Sequence, residues 1–358
     1  MLLKSKLATV AAAGAVCAVA ASTAALAAPP PVWSKPSTIP GSYTNATPGL
    51  AAYYYHNVRG AFVTWKGQNS NDVYYRFKYH GKWSRTERVP GAGTTDGPAA
   101  AFYTNYRGVP SELVAWKALH SNIIWYATGE ITGGNSLSWS KTRSIAVKGD
   151  KLATSSTGPS VIFPLNSPNA RVIIAWRGPG HHVRYELGAQ SGRYFSFDKS
   201  QWISGGTATD STLTSDTPAL AEVIGAGGNG TVYVFWKADG KGETLSYAST
   251  PDLAKSGLQG SKTVKWTLLG FVPGGASTSG PAAADVNAHG TGPLMLAYKG
   301  PSGDHIRYQF LTGTSWSGVS YVSGAQNKTT LSPALLNTLL ANVAPTSSGV
   351  IYLRSYNG

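Results

Sequence analysis

The stretch GPAAADVNAHGTGPLMLAYKGPSGDHIRYQFLTGTSWS, residues 280–317, is one complete unit of a repeat that organises the whole chain. Its landmarks, in order, are Gly280-Pro281, Tyr298-Lys299, Ile306-Arg307-Tyr308 and Trp316-Ser317. Proline fixes φ and lacks a backbone donor, so it suits the first residue of a strand. Because apolar runs separated by glycine-bearing turns are typical of strands, we interpret the unit as four consecutive β-strands.

The same landmarks recur along the chain. Tryptophan followed by serine or threonine, with one longer variant, occurs at Trp33-Ser34, Trp83-Ser84, Trp139-Ser140, Trp202-Ile203-Ser204, Trp266-Thr267 and Trp316-Ser317. An aromatic or apolar residue followed by a base occurs at Trp65-Lys66, Trp116-Lys117, Trp176-Arg177, Trp236-Lys237, Tyr298-Lys299 and Leu353-Arg354. The last of these pairs has no Trp-Ser after it, and Trp33-Ser34 has no partner before it. The sixth unit is therefore divided between the two termini.

A repeat of about 50 to 60 residues suits the four-stranded blade of a β-propeller. Dividing one blade between the chain ends closes the ring and leaves only short, protected sheet edges. The alanines after each opening proline suit an innermost strand, where the blades converge and space is least. The sequence thus predicts an all-β, six-bladed propeller of mostly four-stranded antiparallel blades, with the last blade closed by the N-terminal strand. Only four residues follow Arg354, so a three-stranded sixth blade stays open as an alternative.

The N-terminus is typical of a secretory signal, with Lys4 and Lys6 before an apolar run and Ala25-Leu26-Ala27 as a cleavage site. We assign residues 1–28 to a signal peptide and residues 29–358 to a single propeller domain of a secreted, extracellular protein.

Composition limits the partners of the mature chain. The sole cysteine, Cys17, lies in the signal, so no disulfide or thiol nucleophile is expected. Removing the two signal lysines leaves 28 basic against 16 acidic residues, a surplus that favours acidic polysaccharide, although exported proteins are often basic without using the charge. The sequence has no metal motif, cofactor motif, isolated basic cluster or membrane-spanning run after the signal. We therefore predict a monomer with no metal, no cofactor, no nucleic-acid partner and no membrane insertion.

The repeat resembles the blades of secreted β-propellers of the sialidase-like and fucose-lectin-like kinds. Gly313-Thr314-Ser315-Trp316 is similar to the end of the sialidase Asp-box, and Ser196-Phe197-Asp198 followed by Trp202 is a shorter version. The resemblance implies the propeller fold and a function on carbohydrate.

Ligands of propellers usually bind where the turn before the inner strand and the loop after the second strand share one face. There the repeat predicts a ring of six cations, Lys66, Lys117, Arg177, Lys237, Lys299 and Arg354, with Asp96 and Asp216 in the neighbouring turns. Such a ring could bind a carboxylated, sulfated or phosphorylated glycan through charge-assisted hydrogen bonds. In the alternative interpretation each base lies along the neighbouring blade and pairs with a carbonyl or an acid.

The repeated tryptophans and tyrosines are expected to pack between blades. Tyrosines at irregular positions are better candidates for stacking on sugars, namely Tyr53, Tyr54, Tyr55, Tyr103, Tyr106 and Tyr194. Loop aspartates could supply the two carboxyl groups of a glycosidase, and His181-His182 and His305 could serve a lyase.

The sequence therefore predicts a secreted, lectin-like propeller that binds extracellular or cell-surface glycans, with acidic glycans preferred, and does not cleave them. Two alternatives stay open. One is a glycoside hydrolase or polysaccharide lyase of the sialidase-like propeller type, and the other is an extracellular scaffold for protein interactions.

Overall fold

Six antiparallel sheets form the blades of a propeller in the computed structural model of the protein. The structure describes residues 32–56, 58–133, 136–145, 152–164, 171–203, 212–225, 228–240, 242–251, 264–287, 292–324, 327–336, 339–343 and 349–357. The inner strand of each blade packs beside the next one, and that of the sixth blade packs beside that of the first. The predicted six-bladed, all-β fold is confirmed.

Each blade has an inner, a second, a third and an outer strand, and a fifth stretch, here called the edge segment, pairs further along the third strand. Blade 1 contains Gly49–Tyr55, Val58–Lys66, Asp72–Tyr79, Lys82–Trp83 and Glu87–Gly93. Blade 2 contains Ala99–Thr104, Pro110–Lys117, Ile124–Ile131, Leu137–Trp139 and Arg143–Ser144. Blade 3 contains Ser160–Ile162, Val172–Arg177, Val183–Ser191, Tyr194–Phe197 and Gln201–Trp202, with a 3₁₀ turn at Pro179–His181.

The other three blades follow the same order. Blade 4 contains Ala219–Ile224, Gly230–Lys237, Thr244–Thr250 and Thr267–Ala276, whose last strand supplies both outer strand and edge segment. Blade 5 contains Ala282–Asp285, Leu294–Lys299, Ile306–Thr312, Ser315–Trp316 and Ser320–Tyr321. Blade 6 contains Ala334–Leu336, Leu339–Val343, Val350–Asn357, Val32–Trp33 and Ser37–Tyr43.

Blade 6 joins the two ends of the chain. Val32 pairs with Asn357, and Trp33 pairs with Tyr356, so the N-terminal strand is the outer strand of this blade. The edge segment continues the pairing where Ser37 lies opposite Leu353. The predicted closure by the N-terminus is confirmed, and blade 6 is complete because its third strand runs to Asn357.

The position of Arg354 differs from the prediction. Five of the six predicted cations end a second strand, but Arg354 lies in a third strand, opposite Leu340. The second strand of blade 6 instead ends at Val343, because Ala341 pairs with Ala334 as Ala297 pairs with Ala282 in blade 5. The ring of six cations was therefore wrong at this member, and blade 6 has valine at the equivalent position.

The position of Trp202 also differs. It lies opposite Arg184 in the edge segment, whereas Phe197 occupies the outer-strand position opposite Gly188. The backbone N–H of Asp198 then donates to Leu187, as that of Ser140 donates to Thr128 in blade 2. Phe197-Asp198 thus replaces the Trp-Ser pair, and Trp202-Ile203-Ser204 was wrongly assigned to it.

Aromatic pairs connect neighbouring blades. In five of the six junctions the third-strand tyrosine, or its equivalent, meets the outer-strand aromatic of the next blade edge-on, with ring centroids 5.2 to 5.5 Å apart: Tyr75–Trp139, Tyr126–Phe197, Tyr185–Trp266, Tyr247–Trp316 and Tyr308–Trp33. Between blades 6 and 1, Leu353 and Trp83 share one apolar cluster. The repeated aromatics therefore pack between blades, and edge-to-face geometry adds to their area burial.

A third repeated feature holds the edge segments in place. Within each one, or directly after it, an Ile or Val side chain lies in the core, no more than 2 % exposed: Ile39, Val89, Ile145, Ile203, Val272 and Val322. The residue before each of these is exposed in five blades and half-buried, as Ser144, in blade 2.

The predicted signal, residues 1–28, lies outside the described residues. Among the described residues, no helix has the length and apolarity needed to cross a membrane.

Candidate functional site

The six turns that open the inner strands meet at the propeller axis, on what we call the upper face. They surround a cavity of about 340 Å³, lined by Thr47, Gly97, Gly158, Thr217, Ser279 and Ser332 among others. Beneath it, small inner-strand residues such as Ala101 and Ala221 line a second cavity of about 270 Å³. The alanines predicted to face the axis therefore leave an open channel there.

The turns are held by their own hydroxyl groups. In every blade a Ser or Thr oxygen accepts a hydrogen bond from the backbone N–H two residues on, over 3.0 to 3.3 Å; the six are Thr44, Thr94, Ser155, Thr214, Ser277 and Thr329. Successive turns also touch, because a Cβ on Gly158 would lie 2.3 Å from the Gly97 oxygen. These hydroxyls build the mouth rather than face a ligand.

Asp96 and Asp216 both line the mouth, as predicted for the opening turns. Asp216 accepts a 2.7 Å hydrogen bond from the Thr217 backbone N–H. Burial raises the pKa of Asp216, against the opposing effect of backbone hydrogen bonds and of Lys237 and Arg177. No tyrosine or arginine is among the described residues around this mouth.

Lys66 and Lys117 support the turns in front of their own blades. The Lys66 ammonium donates to the Asn45 side chain at 2.8 Å and to the Gly67 carbonyl at 3.1 Å, and burial lowers the pKa of Lys66. Lys117 forms a 2.7 Å ion pair with Asp96.

Lys237 and Lys299 are engaged in the same way. The Lys237 ammonium donates to the Thr278 carbonyl at 3.2 Å, and Lys299 lies 3.1 Å from the Asp304 carboxylate. These four cations, and Arg177 through the Thr214 carbonyl, thus each pair with a nearby carbonyl or acid as in the alternative interpretation, and Lys66 pairs with an amide as well.

Arg177 lines a cleft of about 300 Å³ on the upper face between blades 2 and 3. Its guanidinium donates to the Thr214 carbonyl at 2.7 Å through Nε and to the Ser156 hydroxyl at 2.5 Å through Nη1. A guanidinium has five N–H donors in a fixed fork, so further donors are available to a ligand. Asn122 and Ser156 also line the cleft.

His181 forms the far side of this cleft. Its backbone has a φ of 67°, a left-handed conformation that is uncommon outside glycine, and its imidazole pairs with the Asp239 carboxylate. The hydrogen bond to His181 lowers the pKa of Asp239. The loop therefore holds the His181 imidazole against Asp239 of blade 4 at some conformational cost.

The irregular tyrosines have mixed positions. Tyr103 is buried, Tyr106 is exposed, and the ring of Tyr194 lies 3.4 Å from the Arg143 guanidinium. The side chains of residues 53–55 lie outside the described set.

Exposed aromatics also occur at the blade rims, and one of them, Trp202, was wrongly predicted to pack between blades. Trp202, Phe271 and Tyr321 are each 54 % exposed and hold the same edge-segment position in blades 3, 4 and 5. The buried Ile or Val that follows each of them is the signal that could have located this position.

Several solved structures, lectins among them, share this fold. No family model and no curated protein matches the sequence. A variant of the Aleuria aurantia lectin in complex with alpha-methyl-L-fucoside is 12 % identical, with a TM-score of 0.56 over 87 % of this chain and 94 % of that one. The SapL1 lectin with alpha methyl fucoside is 12 % identical, with a TM-score of 0.54 over 88 % and 94 %. A variant of AofleA from Arthrobotrys oligospora is 8 % identical, with a TM-score of 0.59 over 90 % and 88 %. At these identities the likeness shows the fold alone.

Proposed function

We propose that the protein is a secreted, glycan-binding propeller that prefers acidic glycans and binds them on its upper face without turnover. The observation that carries the proposal is the cleft of about 300 Å³ beside Arg177, with Asn122 and Ser156 among its lining residues. Two solved structures of the same fold contain fucosides, which supports carbohydrate as the class of ligand.

The chemistry of the cleft favours an anionic sugar. Arg177 uses two of its donors on Thr214 and Ser156, and these bonds fix the orientation of the guanidinium plane. A planar fork held in this way suits the two oxygens of a carboxylate or sulfate, whose charge-assisted bonds are about twice as strong as neutral ones. The remaining polar groups suit sugar hydroxyls.

The mouth has a different character. Its two carboxyl groups would repel an anion, and Asp96 is already paired with Lys117. We therefore assign acidic recognition to the cleft and leave to Asp96 and Asp216 the acceptance of neutral sugar hydroxyls. The ion pair with Lys117 also engages the Asp96 carboxylate, which favours binding over cleavage.

A glycan array probed with the mature protein, at low and at high salt, tests the proposal. We expect binding to uronate- or sulfate-bearing glycans that weakens as salt screens the charges. Arg177→Gln should lower the affinity about tenfold, the loss of one charged hydrogen-bond pair. Arg88→Gln is the control, since it removes an equal charge from a different blade, where Arg88 pairs with Asp72.

The array distinguishes the alternatives. Absence of any bound glycan at micromolar protein would overturn the proposal, and a glycan shortened during incubation would favour the hydrolase or lyase. Equal losses in Arg177→Gln and Arg88→Gln would show that net charge acts rather than the cleft.

A further inference from the structure

The edge segments of blades 3 and 5 carry the same three-residue cluster on the upper rim. In blade 3, Trp202 lies opposite Arg184, and in blade 5, Tyr321 lies opposite Arg307. His182 and His305 precede these arginines by two residues, at the start of the third strand that follows the upper-face loop. We call the two groups the rim clusters.

Geometry is alike in the two rim clusters. The guanidinium carbon lies 5.7 Å from the Trp202 ring centroid in one and 5.3 Å from the Tyr321 centroid in the other, distances typical of a cation–π contact. The imidazoles of His182 and His305 lie 5.2 and 6.5 Å from the same rings.

A glycine beneath each arginine makes room for it. A Cβ on Gly178 would lie 2.3 Å from Cδ of Arg184, and a Cβ on Gly300 would lie 2.7 Å from Nε of Arg307. Any other residue there would displace the arginine stem, which crosses the backbone of the preceding loop. The loop therefore fixes where each guanidinium can lie, and blades 2 and 4, with Ala118 and Ala238 at this position, have no arginine on the third strand there.

The equivalent positions in the other blades show that the exposed ring and the neighbouring arginine do not always occur together. Phe271 in blade 4 is as exposed as Trp202 and Tyr321 but lies opposite Ser246. Blade 1 has Arg88 opposite Tyr74, so the arginine and the ring exchange places there, while blade 2 has Ser144 and blade 6 has Thr38. At this edge-segment position, blades 3 and 5 have an exposed ring opposite an arginine, whereas blade 4 has an exposed ring without one.

We propose that the rim clusters are two further binding sites for acidic pyranose units. The C–H face of a pyranose is apolar and stacks on a half-exposed aromatic ring, while its carboxylate or sulfate meets the adjacent guanidinium. The inference deepens the proposed function and rests on it for the class of ligand. It places the sites on the rim, and the blade 3 cluster borders the cleft at Arg177, because Gly178 lines that cleft and contacts the Arg184 stem. One chain then has several points of attachment to a repeating acidic polymer, which raises avidity.

Calorimetric titration with tetragalacturonate, and with its fully methyl-esterified form as the neutral probe, tests the rim clusters. Trp202→Ala and Tyr321→Ala should each remove about one binding equivalent, and the double variant should remove both. Arg184→Gln and Arg307→Gln should lower the affinity for the acid about tenfold and leave that for the ester unchanged. Phe271→Ala is the matched control and should bind as the wild type does.

The outcomes separate the two proposals. If the double variant melts like the wild type and binds tetragalacturonate with unchanged stoichiometry, the rim proposal is wrong, whatever Arg177→Gln does. If Arg177→Gln has no effect while the rim variants lose binding, the cleft is wrong and the rim clusters stand. The role of the cation would be overturned if Phe271→Ala lost as many binding equivalents as the rim variants. It would also be overturned if the arginine variants lost equal affinity for the acid and for the ester. Failure of the wild type to bind either probe would overturn the rim proposal, and the array then decides the proposed function.

Discussion

One repeated position on the third strand shows how much a single residue can differ between blades. Glu186, Gln309 and Arg354 are equivalent, opposite Ile174, Leu296 and Leu340 respectively. Gln309 is satisfied, since it donates to the Pro273 and Ser317 carbonyls and accepts from the Tyr298 hydroxyl. Glu186 is 1 % exposed, and neither carboxyl oxygen has a hydrogen-bond partner.

We predict that Glu186 makes stability fall as pH rises. Burial, together with the charge of Asp198, raises the pKa of Glu186 from its ordinary 4.5 to about 8. Between these values the folded chain keeps a proton that the unfolded chain has lost, so this group lowers the free energy of unfolding by about 1.4 kcal/mol per pH unit. Glu186→Gln should flatten the loss of stability measured by urea unfolding from pH 5 to pH 8.

The control for this slope is an exposed carboxyl group. Asp304→Asn, at a side chain that is 42 % exposed, controls for the general effect of removing one carboxyl group. Glu112 is buried as well, and its raised pKa contributes with the same sign, so a residual slope is expected in Glu186→Gln. A slope unchanged by Glu186→Gln would mean that this carboxyl group is ionised in the folded protein.

At the scale of the strand, the aromatic pairs between blades give each sheet a fixed contact with the next. Trp266 shows the principle, since it is 3 % exposed and meets Tyr185 of the preceding blade at 5.5 Å. The apolar cluster at this junction also contains Trp236 and Leu220. Trp266 stabilises the junction through burial and packing, because its indole N–H is buried without a hydrogen-bond partner.

Trp266→Ala should lower the free energy of unfolding by about 3–5 kcal/mol, the cost of truncating a large buried ring. Trp202→Ala is the natural comparison, since Trp202 is half-exposed in the edge segment of blade 3. This substitution should lower the free energy of unfolding by no more than about 0.5 kcal/mol. Chemical denaturation of the two variants measures both values. Similar losses would contradict the distinction between packing and rim tryptophans.

Strand order was predictable from the sequence because each unit carries the same residues at the same spacing. Five second strands end at the predicted base, for example at Lys117 and Lys299. Two assignments were wrong because a residue of the expected type occurs at a different position in the strand pairing. Arg354 follows an apolar residue in a third strand, and Trp202 resembles the outer tryptophans although Phe197 takes their place.

The candidate site was less predictable than the strands. Spacing placed the cations near one face, but only three-dimensional contacts show that Lys66 reaches Asn45 while Arg177 reaches a cleft. The rim rings were missed because exposure depends on the strand pairing around them. Their one sequence signal, an Ile or Val directly after the exposed residue, is short and is shared by many strands.

At the scale of the whole molecule, the ring is closed by strand pairing between the chain ends and by the contact of Trp33 with Tyr308 of blade 5, at 5.5 Å. A closed ring leaves every blade with two neighbours, so the loss of one outer strand exposes a long edge as well as the junction behind it. The closure therefore stabilises the whole propeller and not blade 6 alone.

Deleting residues 32–35 removes this outer strand and the buried indole, while the edge segment of blade 6 stays in the chain. Loss of the indole alone is worth about 3–5 kcal/mol, and at roughly 2–4 °C per kcal/mol the melting temperature should fall by about 10 °C or more. Trp33→Phe keeps an aromatic ring against Tyr308 and should lose only a part of this. Thermal unfolding followed by tryptophan fluorescence measures all three proteins. A deletion variant that melts with the wild type would mean that the other five junctions hold the ring together, and that the pairing of the termini follows folding without stabilising it.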